Sequence, residues 1–349
     1  MHVAGMLYCP VMRLAVIGLG FMGSTHLKAL KNIPEAQLAA VVSSDDKKLS
    51  GDLSGIQGNL GGPGEKMDFS KVKKYRTVAE ALADREIEAV DICLPTDQHS
   101  PVALAALRAG KHVLVEKPMA LDGAAADKML AEARKSGRLL MTGQVLRFIS
   151  AYSKTAGLVK TGKLGPVRAA LFRRRCAAPG WSRWLGNAAQ SGGGVFDLLI
   201  HDVDYCLHLL GKPTAVSARG YEDLPRGIDS IVAEFHYPAI GSVAIMGGWH
   251  HPKAYPFSME FTISGDAGTV DYSSDGRPLA LYGADGEKQP IDTPDMDWFE
   301  EELKYFIDCA ANGRKPELCP PEESAAAVKL TRLMVESRER NGAKLECNF

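Results

Sequence analysis

The sequence predicts an α/β protein of two domains, a doubly wound parallel sheet followed by an α+β domain with a mostly antiparallel sheet. Three observations carry this. At 349 residues the chain has the length of about two domains of roughly 150 residues each. From Arg13 to about Gln144, short continuous apolar runs alternate with amphipathic stretches, the mark of a parallel sheet buried on both faces between helices. Beyond about residue 150 the pattern becomes two-residue alternation in successive runs separated by turn residues, as in antiparallel strands.

In the first half, strands are predicted at 14–18, 37–42, 88–94, 112–116 and 138–144, with helices near 22–31, 77–84, 99–109 and 122–136. The segment 50–66 has six glycines and no apolar period, so it reads as a surface loop. In the second half, strands are predicted at 166–175, 214–220, 230–238, 241–249, 257–265 and 268–272, with one helix at 195–210. Two helices close the chain near 296–311 and 322–341, the last capped at Asn341-Gly342. The implied division is an N-terminal extension over 1–11, a nucleotide-binding domain over 12–145 and a second domain over 146–349. Met12 stands directly before the first strand, so residues 1–11 are expected to be dispensable.

Hydrophobic residues at 46% and charged residues at 24% match a soluble globular chain and exclude disorder. Lys plus Arg at 41 against Asp plus Glu at 42 offers no overall attraction for nucleic acid or an anionic membrane, and neither partner is expected. The seven cysteines are scattered without a CxxC pair, which argues against a zinc ribbon or disulfide framework and for a reducing cytoplasm. No apolar run has the length of a membrane span, and the first ten residues lack the pattern of a signal peptide. The 35 glycines, one residue in ten against a usual roughly 7%, call for a reason.

Part of that reason is Gly18-Leu19-Gly20-Phe21-Met22-Gly23, directly after the first strand and at the start of a helix. In this place Gly18 permits a tight turn, Gly20 lets a pyrophosphate approach the backbone, and Gly23 allows the helix to pack closely, while helix amides hold the anion. The end of the second strand selects the adenosine ribose. It carries Ser43 and Ser44, then Asp45-Asp46-Lys47-Lys48. Hydroxyls with Lys48 nearby suit a 2′-phosphate, and Asp45 stands two positions late for a diol, so the cofactor expected is NAD(P), with NADP favoured over NAD.

The fifth strand ends in Glu116-Lys117-Pro118, where a lysine reaches the crevice at the carboxyl ends of the strands. Three glycines, Gly192 to Gly194, lead into a helix on which Asp197 and His201 share a face at i and i+4. A carboxylate so placed can orient an imidazole and set its basicity. Arg147, the Arg173 to Arg175 run, Trp181, Arg183, Trp184 and Trp249 to His251 are candidate pocket residues, since aromatic rings stack on sugar faces and arginines bind hydroxyls or carboxylates. No residues stand at a recognised metal-ligand spacing, and no metal is expected.

Taken together, GLGFMGSTH (18–26), GKHVLVEKPMA (110–120), GQVLRF (143–148) and GGGVFDLLIHDVD (192–204) resemble the Gfo/Idh/MocA family of glucose-fructose oxidoreductase and inositol dehydrogenase. The resemblance implies a Rossmann domain, a C-terminal substrate-binding and oligomerisation domain with a large open sheet that pairs homodimers or homotetramers, and a nicotinamide cofactor. It implies that Lys117, Asp197 and His201 are catalytic and that the Lys117-Pro118 bond is cis; with Arg147 and Trp181 taken from the candidate pocket residues, Lys117, Arg147, Trp181, Asp197 and His201 are expected to meet substrate. Cofactor contacts would come from Gly18, Gly20, Phe21, Met22, Gly23, Ser43, Ser44 and Lys48, then from Pro95, Thr96, His99, Glu116 and Lys117. Relatives often place Pro-Asn before the histidine of the fourth crossover, where this chain has Pro95-Thr96-Asp97-Gln98-His99. The expected activity is hydride transfer between the nicotinamide and a polyhydroxylated small molecule such as a sugar, cyclitol or keto-sugar. His201 would move the proton, Lys117 would stabilise the developing oxyanion, and Asp197 would orient His201 or bind a neighbouring hydroxyl. The alternatives are an NAD-dependent glycoside hydrolase of the same fold and a non-catalytic nucleotide sensor, which would have no need of the three catalytic side chains.

Overall fold

The computed structural model describes residues 11–58, 64–180 and 182–349. The N-terminal half builds β1 (Met12–Ile17), α1 (Phe21–Leu30), β2 (Ala36–Val42), α2 (Asp46–Leu49), β3 (Lys73–Tyr75), α3 (Val78–Ala83), β4 (Ala89–Ile92), α4 (Thr96–Arg108), β5 (His112–Glu116), α5 (Gly123–Ser136) and β6 (Leu140–Gly143). Its six strands are parallel in the order β3-β2-β1-β4-β5-β6. The order reverses between β1 and β4, the place where doubly wound sheets open a crevice. Strands such as Ala89–Ile92 are buried at every residue because helices cover both faces. Local chemistry sets the helix ends: Thr77 and Glu80 close a capping box on α3, and Asp122 caps α5 ahead of a left-handed Gly137 at its end.

The remainder builds α6 (Ser150–Lys160), β7 (Val167–Cys176), α7 (Ala188–Ser191), α8 (Gly194–Leu210), β8 (Ala215–Asp223), β9 (Ile228–His236), β10 (Ser242–Trp249), β11 (Ser258–Gly265), β12 (Gly268–Ser273), β13 (Arg277–Gly283), β14 (Lys288–Pro290), α9 (Trp298–Ala311), α10 (Pro321–Glu339) and β15 (Leu345–Glu346). The nine strands run β14-β13-β12-β11-β7-β10-β9-β8-β15, antiparallel except for the parallel pair β7 and β10. Along β7, Ala170, Phe172, Arg174 and Cys176 face the interior, while Leu171 faces outward. Helix α8 packs on the inner face, and α10 packs against α8, β8 and α5. Helix α9 returns to the first sheet, where Leu303, Phe306 and Ile307 join Leu14, Val16 and Leu27 in one core.

The structure adds α2, β3, α6, α7, strand β13 and the edge strands β14 and β15 to the elements expected from sequence. The segment 50–66 is also more than a surface loop in its described part: Leu53 is fully buried, Asp52 bridges to Lys66, and a Cβ at Gly58 would strike the Phe21 ring. The last helix ends as expected, with Asn341 at φ 55 and the Gly342 N–H donating to Ser337 O at 2.8 Å.

Arg147, expected to meet substrate, instead locks the junction between the domains. Its guanidinium is buried, donates to both oxygens of Asp204 on α8 at 2.9 and 2.7 Å, and reaches Leu318 O and Glu323 at 2.8 and 2.7 Å. Four of its five donors are engaged in these contacts, and the residue is not among those that line the cleft. Arg147→Ala strands a buried Asp204 and is expected to lower the unfolding free energy by about 3–5 kcal/mol. The double variant Arg147→Met/Asp204→Leu recovers most of that loss, as denaturant unfolding checks. Unchanged stability with a raised KM would instead return Arg147 to the substrate site.

Candidate active site

The turn from β1 into α1 is shaped by what a side chain would strike. Gly18 sits at φ 98, where a Cβ would lie 2.5 Å from the Cys93 carbonyl oxygen. A Cβ at Gly23 would lie 1.9 Å from the Gly18 oxygen, so turn and helix close on each other only without it. At Gly20 a Cβ meets nothing within 4 Å. The helix has no side-chain cap at Gly20, which leaves its first amides to an anion. This cradle fits the pyrophosphate of a dinucleotide.

The cradle opens into a cleft of about 1500 Å³ that runs from the end of β2 to α8. One ligand pocket usually measures about 300–1,000 Å³, so cofactor and substrate have room together. Gly18, Gly20, Phe21, Met22, Ser43, Ser44, Lys48, Pro95, Glu116, Lys117, Asp197 and His201 all line it. Sequence reasoning missed Arg76, which lines the cleft beside Ser44, donates to the Ser44 carbonyl and pairs with Asp46. Asp45 also lines the cleft and caps α2 with one oxygen, Oδ1, which accepts from the Lys47 and Lys48 amides at 2.9 and 3.3 Å. Gly55, Ile56 and Gln57 of the glycine-rich segment form a further wall.

At the other end of the cleft, Lys117 follows β5 through a cis bond to Pro118. Its Nζ donates to the Asp197 backbone oxygen at 3.0 Å and to Asp197 Oδ1 at 3.2 Å. The expected use of Asp197 to orient His201 gives way to this contact: Asp197 is held by the lysine, and His201 Nδ1 is buried with no hydrogen-bond partner. Burial, with the positive charges of Lys117 and Arg174 behind it, pushes the His201 pKa well below its ordinary 6.5. The ring is therefore a neutral base at pH 7. Arg174 is held from below by Asp202, at 2.7 and 3.2 Å.

Beneath Lys117 lies a buried polar cluster. Glu116 Oε2 accepts the Lys117 amide at 3.0 Å, and Oε1 lies 3.1 Å from His26 Nε2, close enough for a charge contact without hydrogen-bond alignment. His26 Nδ1 is 2.8 Å from Asp91 Oδ2. Burial pulls the His26 pKa down, but Asp91 and Cys93 outweigh it and hold the ring well above 6.5. Glu302 of α9 brings a second carboxylate to the cluster, with both oxygens buried and unpartnered. Burial and the Glu116 charge push its pKa well up, which favours its protonated form.

Other expected residues stand elsewhere. His99 is buried with its ring nitrogens 2.7 and 2.8 Å from the Pro118 and Leu94 carbonyls; it ties two loops behind the cleft and touches no part of it. Thr96 is buried at the start of α4, away from the cleft that Pro95 and Gln98 line. Gly23 contributes packing. Trp181 lies outside the described residues. Arg173 and Arg175 point to the outer sheet face, each 2.5 Å from Glu260, as the alternation of a strand requires. Trp184, Trp249 and His251 do line the cleft, joined by Tyr255, Phe257, Trp298 and Phe299, which sequence reasoning did not single out.

Comparison with known proteins agrees with this architecture. Residues 12–144 match the model of the GFO_IDH_MocA oxidoreductase family with its NAD-binding Rossmann fold, and residues 152–271 match the family's C-terminal domain. The chain is 32% identical to a myo-inositol 2-dehydrogenase of Thermotoga maritima, over 96% of this chain and 99% of that one. It is 27% identical to a scyllo-inositol 2-dehydrogenase (NAD(+)) of Bacillus subtilis, over 87% of each. In fold it resembles a levoglucosan dehydrogenase solved with NADH and L-sorbose, at a TM-score of 0.83 and 17% identity, over 96% of this chain and 98% of that one. A glycine cradle at the switch point of a Rossmann sheet, a strand-end lysine paired with an aspartate, and matches over both domains lead to one statement: the chain belongs to the GFO/IDH/MocA family of NAD-binding oxidoreductases.

Proposed function

We propose that the protein is a nicotinamide-dependent dehydrogenase that oxidises, or in reverse forms, a secondary alcohol of a small polyhydroxylated molecule. The observation that carries this is the meeting of Lys117, Asp197 and a neutral His201 in the cleft that begins at the glycine cradle. The relatives' names, an inositol dehydrogenase and a levoglucosan dehydrogenase, support a polyol or sugar as substrate class. When bound, the nicotinamide supplies the two-electron hydride chemistry.

The chain's own residues handle the proton and the charge. A carbinol carbon gives up hydride readily only as its hydroxyl proton leaves. The neutral imidazole of His201, which lines the cleft, takes that proton. An ammonium has three donors, and Lys117 gives two to Asp197; the third hydrogen-bonds the reacting oxygen and stabilises its negative charge. Asp197 keeps the ammonium aimed. Glu116 fixes the lysine's backbone from behind through its amide. For the adenosine end we propose NADP over NAD: Ser43, Ser44, Lys48 and Arg76 line that wall with Asp45, whose Oδ1 caps α2. We place a second copy of the chain on the outer face of the large sheet, where Leu171 and Val232 are exposed on strands near its middle.

Three measurements test this reading. With a panel of inositols, hexoses and anhydrosugars followed by reduced-nicotinamide absorbance, His201→Ala and Lys117→Ala are each expected to lower turnover about 10²–10⁴-fold; near-wild-type turnover of either removes it from the mechanism. Because the free base of His201 is the reactive form in oxidation, kcat/KM is expected to be flat through neutral pH and to fall only on an acid limb whose midpoint lies below 6.5. A midpoint at or above that value contradicts the assignment. The efficiency ratio of NADP to NAD is expected to exceed one and to drop about tenfold in Arg76→Ala, the size of one lost charge-assisted contact; a strong NAD preference in the parent protein overturns the cofactor proposal.

A further inference from the structure

The substrate end of the cleft combines polar and apolar side chains. The polar ones at the proposed reaction centre are Lys117, Asp197 and His201. Strand register puts Arg174 and Cys176 of β7, Trp249 of β10 and Met259 of β11 on one inner face of the large sheet, since Cys176 pairs with Trp249 and Arg174 with Met259. Arg174 is the only charged group of that set, and its guanidinium is already engaged by Asp202 and Met259 Sδ. Above this floor, Trp184, Phe257 and the Ala177-Ala178-Pro179 turn line the cleft while remaining only half-buried, so their apolar surface faces open space. The charged residues on the same rim, Arg226 and Lys253, are exposed to solvent.

A free inositol or hexose bears hydroxyls all round its ring. Each hydroxyl pressed against an apolar wall gives up water for no partner, at a cost of about 1–3 kcal/mol. Lys117, Asp197 and His201 meet one edge of such a ring, and any hydroxyl that falls against Trp184, Phe257 or Met259 is left unpaired. The mismatch disappears for a molecule that is itself two-sided.

We propose that the site takes a polyol conjugated to an apolar ring-sized group, such as an aryl glycoside, with the hydroxyl edge at Lys117, Asp197 and His201 and the apolar group against Trp184, Phe257 and Met259. Aromatic walls bind such a group through area and ring contact. His251 adds one polar tip within this wall: its ring stacks on Tyr255 at 3.8 Å, and its Nε2 is buried without a partner.

This inference rests on the dehydrogenase reading for the hydroxyl edge, and its test separates the two. Protein loaded with NADPH or NADH is titrated calorimetrically with matched methyl and phenyl glycosides of glucose, galactose and mannose, and with the free sugars; turnover of the same compounds is followed with the oxidised cofactors. In at least one series the phenyl glycoside is expected to bind at least tenfold more tightly than the methyl glycoside, and the free sugar most weakly. Trp184→Ser and Phe257→Ser are each expected to narrow the phenyl-to-methyl ratio toward one. Equal affinities within every series, or binding of none, overturn the inference. Turnover of free sugars without an aryl preference overturns it while leaving the dehydrogenase reading in place, and an aryl preference in binding without any turnover removes the dehydrogenase reading instead.

Discussion

Helix α8 carries three acids into the interior, and each needs a cation. Asp197 takes Lys117 from the end of β5, Asp202 takes Arg174 from β7, and Asp204 takes Arg147 from the segment that joins the domains. Leaving any of them unpaired in so buried a place costs several kcal/mol, so the helix can sit only where all three partners reach it. The three partners come from the Rossmann sheet, the large sheet and the hinge. Their convergence on one helix fixes the two domains against each other and, as a by-product, fixes where His201 stands.

The end of β5 is held from the opposite side. Glu116 accepts the Lys117 amide with one oxygen and faces His26 with the other, and His26 is in turn anchored by Asp91 at the heart of the parallel sheet. Although burial works against the charged form, His26 and Lys117 hold the Glu116 pKa below its ordinary value. Glu302 joins the cluster with its protonated form favoured, because burial and the Glu116 charge oppose its ionisation. Since Glu302 belongs to α9, a helix from the far end of the chain completes the packing under the reactive lysine. The lysine is thus gripped at its amide by one network and at its ammonium by another.

What the sequence made legible was whatever is encoded locally. The glycine turn, the strand-end lysine and the i, i+4 pair on α8 each depend on neighbours within a few residues, and the parallel strands announce themselves by unbroken apolar runs. Features that depend on distant partners were hidden. Arg147 looks like any arginine until Asp204, 57 positions later, is seen to accept it. His99 looks like a ligand until Pro118 O is found against its ring. Strand β3 is the polar tripeptide Lys73-Lys74-Tyr75, and β14 is exposed throughout, so neither has the apolar signature that marks a strand. Arg76 escaped notice for the same reason, since it follows β3 and enters the cleft only because β3 pairs with β2.

The arrangement that holds α8 also sets the chemistry of His201. Lys117 and Arg174 are present to neutralise Asp197 and Asp202, yet their positive charges reach the imidazole as well, and together with burial they disfavour its protonated form. Burial and groups that also serve the packing of α8 therefore keep this ring neutral at pH 7. The same arrangement has a thermodynamic cost. Below about pH 6.5 the unfolded chain binds a proton on this ring that the folded chain refuses, so the fold loses stability from that point down until the depressed folded pKa is reached. A neutral ring at pH 7 and weakness toward acid are two consequences of burying one imidazole beside two cations.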